Sequence, residues 1–467
     1  MDAFAAMKAA AGPRGWTEDS DRIAPHLVDW RGRKTGVAVL MLMPATTAGL
    51  AAIVRIAAAH RIALVPQGGN TSLCGGSVPE SDGSAVLVSM LRMNRIRSVS
   101  PADDSLVAEA GVILATIHDA AAGVGRMFPL SLGAKGSATV GGLVSTNAGG
   151  VQVLRYGTMR ALVLGIEAVL PSGEVLDQLS ALRKDNTGYD IKQLLIGAEG
   201  TLGFVTAVAL RLVPRPAVTA TAFVGLGSAD AALELLGRLR AVTGDMLDSF
   251  ELMPRVGIEL VLAHIPGTRD PLAQPHAWYV LAETTSARAG DRLDDLLTEA
   301  LGAAAEAGEI EDAVVAASDA QRAALWAIRE GIPEAERLDG PSVKHDVSVP
   351  VALMPKFIAS ATEAIQTEWP GARVLSFGHL GDGNVHFNAR PTEAENYETF
   401  SKCGPFITAR VNDLTVAFGG SISAEHGIGT LKLSELQRLG NPAKLAAMRA
   451  VKQALDPLGI MNPGKVL

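Results

Sequence analysis

At 467 residues the chain exceeds the roughly 250 to 300 residues at which a single core stops growing, so it calls for two or three domains. Hydrophobic residues make up 48% and charged residues 19%, and no apolar run reaches the ~20 residues that a spanning helix needs, so a soluble protein without a transmembrane segment is expected. A net charge of −8 with 4% aromatics argues against nucleic acid, which selects basic faces with stacking rings. Cys74 and Cys403 are the only cysteines, which argues against a disulfide framework. Residues 1–16 carry Lys8 and Arg14 but no long apolar stretch of a secretory signal, so the expected location is cytoplasmic.

From Thr46 the sequence reads as a capped helix to His60, then as a buried strand over 62–65 that runs into Pro66. Strands are expected over 85–88, 106–108, 165–170 and 204–213, with turns such as Pro171-Ser172-Gly173 between them. Pro214-Arg215-Pro216 is a stiff break. After it, a strand over 220–226 and a helix over 229–242 restart the pattern. Further helices are expected over 286–307, 318–329, 355–368 and 442–455. The fold class is α+β in three parts: 1–216, 217–410 and a small helical C-terminal segment, 411–467, that completes the active site.

Pro66, Gln67, Gly68, Gly69, Asn70 and Thr71, followed by Gly75 and Gly76, let successive backbone N–H groups point into one concavity, a nest that takes a phosphate. The run is neither a dinucleotide fingerprint nor a Walker loop. A second run leads from Gly133 through Gly136, Ser137, Thr139 and Gly142 to Asn147, Gly149 and Gly150. It is too glycine-rich for an ordinary helix, where each glycine costs roughly 1 kcal/mol relative to alanine. Backbone pressed against a flat polar group such as a flavin ring fits it better. The segment 197–203 adds small residues and one acid, Glu199, for an adenosine ribose or a turn.

These segments, with Arg155-Tyr156-Gly157 and the run 183–190, resemble the FAD domain of the vanillyl-alcohol oxidase/PCMH flavoprotein superfamily, over almost the whole chain. The resemblance implies a PCMH-type FAD-binding domain of two subdomains and an α+β substrate (cap) domain with an antiparallel sheet. It implies FAD on the glycine runs above and also on Pro129, Gly203, Val205 and Asn462. Some members tether the flavin through a His just after the paired glycines. Asn70 stands there, so non-covalent FAD is implied.

The C-terminal third holds His379, Asp382, His386, Asn388, Glu425 and His426, a set of metal ligands and bases. A straight strand would send His379 and His386 to opposite faces, and the intervening Gly381-Asp382-Gly383 can make a turn that brings them together. Two His and the Glu425 carboxylate, with one open position, make a catalytic zinc set; manganese or iron also fit. Glu425 and His426 are adjacent and point opposite ways in extended backbone, so one binds metal and the other faces the reacting carbon. An ordinary His pKa of ~6.5 suits His426 to take a hydroxyl proton. Arg329, as a planar fork, and Lys344, as a point charge, are the cations expected around an anionic substrate.

The segments 325–330, 344–350, 379–388 and 423–429 resemble the D-2-hydroxyglutarate dehydrogenase family, relatives of D-lactate dehydrogenases and glycolate oxidase subunits, which binds zinc. Position by position, the resemblance implies His379, His386 and Glu425 as metal ligands, His426 as base, and Arg329, Lys344, Asn388 and His426 at the substrate. Pro333 departs from a family that can present a hydroxyl there, which weakens the grip on a distal carboxylate. The expected reaction oxidises a small anionic D-2-hydroxy acid, D-2-hydroxyglutarate first, with D-lactate or D-malate as alternatives. Hydride passes to flavin N5 and electrons go on to an electron-transfer flavoprotein or quinone-linked acceptor. A homodimer stays open. The rival class is a zinc- or nucleotide-binding protein without redox turnover.

Overall fold

The computed structural model describes residues 2–392 and 397–467. Its contacts divide into two units. The first comprises 1–150, 157–215 and 425–467, and the second 151–156 and 216–424. The first unit contains two principal sheets. One has the strand order Trp16–Thr17, Met41–Leu42, Ala85–Ser89, Ala63–Gln67, its last three strands parallel. Helix Thr47–His60 crosses over to this sheet. Thr46 caps it through Gly49 N–H, and Leu50, Ile53, Val54 and Ala57 form its buried stripe. The other sheet is antiparallel, in the order Ile96–Ser100, Ser105–Glu109, Phe204–Arg211, Val163–Val169, Val175–Gln178.

The second unit is built on a seven-stranded antiparallel sheet, ordered Asp312–Val315, Val218–Leu226, Trp278–Ser286, Leu247–Pro254, Ala372–His379, Asn384–Pro391, Val343–Ser348. Helices cover both faces. Ala229–Thr243, Leu293–Glu306, Met354–Glu368 and Tyr397–Ala417 contribute to one core with Phe250, Leu252 and Phe387. Arg255–His264 and Asp319–Asp339 enclose the other with Leu281, Leu375 and Phe377.

Several elements differ from expectation. Residues 411–467 are not one segment: 411–424 stay in the second unit, where Ser421 pairs with Ser348, while Met461 adds a parallel bridge to Leu64 in the first unit. The helix expected over 286–307 begins only at Leu293, because the Ser286 hydroxyl donates to Asp291 (2.5 Å) and closes a turn. The helix expected to end at 329 continues to Asp339, through Pro333. The expected strand 204–213 breaks after Arg211. The second glycine run does contain a helix, Val140–Thr146. Gly141 is needed inside it because a Cβ there would lie 2.6 Å from the Ala110 Cβ, so the close approach of helix and loop outweighs the propensity cost.

Candidate active site

In the second unit, Ala372–His379 and Asn384–Pro391 are the two arms of a hairpin in which His379 faces Asn384, and Phe377 faces His386. The loop closes because Gly383 takes φ +83°, and a Cβ there would meet the Val349 carbonyl at 2.1 Å. Side chains two apart share a sheet face, so His379 and His386 lie diagonally on one face. Their ring centroids are 5.6 Å apart and nearly perpendicular, with ring nitrogens within 4.8 Å of each other.

The ladder extends that face sideways. Glu251 stands opposite His379, Asp346 opposite His386, and Lys344 opposite Asn388. Helix Asp319–Asp339 lies over it and contributes Arg329 and Glu336, seven residues and two turns apart on its buried stripe. The fully buried Glu251 accepts from Arg329 Nε (2.7 Å) and bonds His379 Nδ1 (2.6 Å). Glu336, also fully buried, accepts from Lys344 Nζ (2.5 Å) and Asn388 Nδ2 (3.0 Å) on one oxygen, while its Oε1 has no hydrogen-bond partner. Arg329 also lies over the Phe377 ring at 5.0 Å.

Burial alone would push the Glu251 pKa up, yet His379 and Arg329 hold it below the ordinary carboxylate range. Asp382 goes the other way: burial raises it and the nearby His379 only partly offsets this. The face therefore brings together Arg329, Lys344, His379, His386 and Asn388. Sequence reading missed the acids among them. Glu251 is one of two acids, with Asp248, in the otherwise largely apolar strand Leu247–Pro254, and Glu336 sits one heptad after Arg329; those positions were the available signals.

Glu425 and His426, both half-buried, open the last segment of the first unit. The residue before them, Ala424, donates its N–H to the Asp346 carbonyl (3.4 Å) within the second unit.

The cradle in the first unit is built from backbone. A Cβ on Gly68 or Gly69 would meet Thr139 Oγ1 at 2.1 Å or the Ser137 carbonyl at 1.9 Å, and one on Gly150 the Ser131 carbonyl at 2.0 Å. Asn70 and Gly75 adopt positive φ. Asn70 is tied to the Val28 carbonyl and to Ser77, while Gln67 bonds the carbonyls of His26 and Ser77. Pro66 underlies Gly200, whose Cβ would meet its ring at 2.3 Å, and Thr71 follows half-buried. Asn147 caps the Val140–Thr146 helix in left-handed backbone. Within that helix, the Gly142 carbonyl accepts from Thr146 Oγ1. Gly149, Pro129 and Val205 are buried, whereas Gly133, Gly136 and Ser137 are exposed. Gly203, at φ +149°, lets Phe204 enter its strand.

The Glu199 carboxylate ties down a neighbouring loop, accepting from the N–H groups of Ile428 and Gly429 at 2.7 and 2.8 Å. Asn462 donates to the carbonyls of Gly76 and Glu199, but its Oδ1 is buried without a partner, as is Thr139 Oγ1 beside Gly68. Two orphaned polar atoms at the rim of a backbone nest suit a polar, phosphate-bearing ligand, so the residues fit FAD.

A two-sheet unit with a backbone nest, in a chain that also carries a broad antiparallel sheet, defines a PCMH-type flavoprotein fold. Profiles agree: that of the FAD binding domain matches residues 38–178, and that of the C-terminal domain of FAD-linked oxidases matches 215–466. The chain belongs to the FAD-linked oxidase family. It is 40% identical over 463 residues to a protein of Arabidopsis thaliana named mitochondrial D-2-hydroxyglutarate dehydrogenase, covering 98% of this chain and 80% of the relative. It is 38% identical over 453 residues to the protein of that name in Bos taurus, covering 96% and 80%. In fold it is similar to p-cresol methylhydroxylase, with a TM-score of 0.75 at 16% identity over 99% of this chain and 96% of the other.

The cytoplasmic expectation is withdrawn on these names, which assign both relatives to mitochondria. Few cysteines signal only a reducing compartment, and a mitochondrial matrix meets that condition as well as a cytoplasm. Among the described residues no helix is long and apolar enough to cross a membrane.

Proposed function

We propose that this chain oxidises D-2-hydroxyglutarate to 2-oxoglutarate, using FAD and a divalent metal ion, zinc first. The observation that carries the reading is charge balance on the sheet face. Arg329 and Lys344 are each matched by a buried carboxylate, Glu251 and Glu336, so a dianionic substrate would meet little net positive charge from these pairs. A divalent ion at His379 and His386 supplies it. The donor set fits zinc, since one imidazole is already oriented by a carboxylate on its other nitrogen.

Glu425 completes the ligand set as the residue following Ala424, whose N–H is anchored to Asp346. His426 takes the proton of the 2-hydroxyl, while Arg329 and Lys344 hold carboxylate and Asn388 donates to substrate oxygen. When bound, FAD supplies the acceptor for the C2 hydride, and zinc the Lewis acid that lowers the hydroxyl pKa. Thr139 and Asn462 are the side chains that would meet FAD beside the nest. Electrons then pass to an electron-transfer flavoprotein or a quinone-linked acceptor.

Anaerobic mixing of the purified yellow protein with D- and L-2-hydroxy acids tests this. D-2-hydroxyglutarate bleaches the flavin, and prior treatment with a chelator prevents it until zinc is restored. Bleaching by D-lactate or D-malate alone moves the substrate to the shorter acids. No bleaching by any of them removes the dehydrogenase reading, and indifference to chelator removes the metal.

A further inference from the structure

Glu251 divides its two oxygens between residues with different tasks. Oε1 bonds His379 Nδ1 at 2.6 Å, and Oε2 accepts from Arg329 Nε at 2.7 Å. The pairing with His379 is built into the sheet, since the two residues are direct partners in the ladder. Arg329 is fixed from a second side by the Phe377 ring, and that ring also lies 5.0 Å from His386. Glu251 itself has no exposed surface.

We infer that Glu251 is a positioning residue that sets the metal subsite and the substrate cation together. Holding the proton of His379 on Nδ1 makes Nε2 the nitrogen offered to a metal, fixes the ring plane, and raises ligand basicity. Taking Nε of Arg329 leaves the two terminal nitrogens of the guanidinium as the edge that a substrate carboxylate meets. Because one carboxylate does both, the distance between the metal ligand and the substrate cation is fixed by a single buried side chain.

The inference rests on the proposed metal site, and zinc affinity separates the two. Zinc is titrated against a chromophoric chelator for the wild-type holoenzyme, for Glu251→Gln and for Glu251→Gln/Arg329→Met. The double variant leaves no lone buried charge, so it guards against a loss that reflects unfolding. Both variants are expected to bind zinc roughly 10- to 100-fold more weakly than wild type, with the double variant regaining the melting temperature lost in the single one. Glu251→Gln is also expected to raise the KM for D-2-hydroxyglutarate. Wild-type zinc affinity in the folded double variant overturns the positioning role and leaves the metal site standing. A wild type that binds no zinc overturns both.

Discussion

His426 carries the one proton transfer that the proposed reaction asks of the protein. An imidazole positioned as a general base contributes ~10² to 10⁴ in rate. His426→Ala is therefore expected to lower kcat by that factor, with flavin absorbance and zinc content unchanged; near-normal turnover would rule out its role. At this scale the sequence disclosed the imidazoles and cations that meet on the sheet face but not their acidic partners. His379 and His386 stand out because imidazoles are scarce, at nine in the chain, and a Gly-Asp-Gly turn separates them. Glu251 lies 128 residues from His379 and 78 from Arg329. Only the pairing of strand Leu247–Pro254 with Ala372–His379 makes them neighbours, and that register is a tertiary property.

Helix Asp319–Asp339 carries the position, Pro333, on which the proposed substrate preference turns. Its Pro333 has no N–H for the carbonyl of Arg329, the acceptor one turn back, and no hydroxyl for a carboxylate. Pro333→Thr returns both. Proline costs about 3 kcal/mol in a helix interior, so the melting temperature should rise. A hydrogen bond to a charged group is worth about 1.5–3 kcal/mol, so kcat/KM for D-2-hydroxyglutarate relative to D-lactate should rise roughly tenfold or more. An unchanged ratio would remove position 333 from specificity. Helices that announce themselves by caps were legible: Thr46 opens Thr47–His60, and Asn441 opens Pro442–Leu455. The misread elements depended on contacts far along the chain or on side-chain turns. Gly141 is explained by Ala110, and the late start at Leu293 by Ser286 bonding Asp291.

Across the whole molecule, the chain leaves its first unit for a long excursion after Arg215 and returns at Glu425, so that unit is completed by a stretch distant in sequence. The return is fastened by backbone bonds between Leu64 and Ile460 and Asn462 (2.8 and 2.9 Å), by Asn462 on Gly76, and by Lys465. The Lys465 side chain is fully buried and bonds Glu80, which also takes Lys34, each at 2.5 Å. Burial would raise the Glu80 pKa, but the two lysines outweigh it and hold it below the ordinary value of 4.5. A carboxylate with a lowered folded pKa contributes stability that is complete above its unfolded value and lost as pH falls through the folded one. The C-terminal segment should therefore stay docked between pH 7 and 5 and loosen only below about 4.5. Glu80→Gln should loosen it at neutral pH. The expected reading is a fall of about tenfold in hydrogen-exchange protection for residues 460–467, at the lower end for a charge-assisted bond because Glu80 is partly exposed. Peptides from strand Trp278–Ser286 should keep their protection; an equal loss there would mean that the substitution destabilises the whole chain rather than releasing its end.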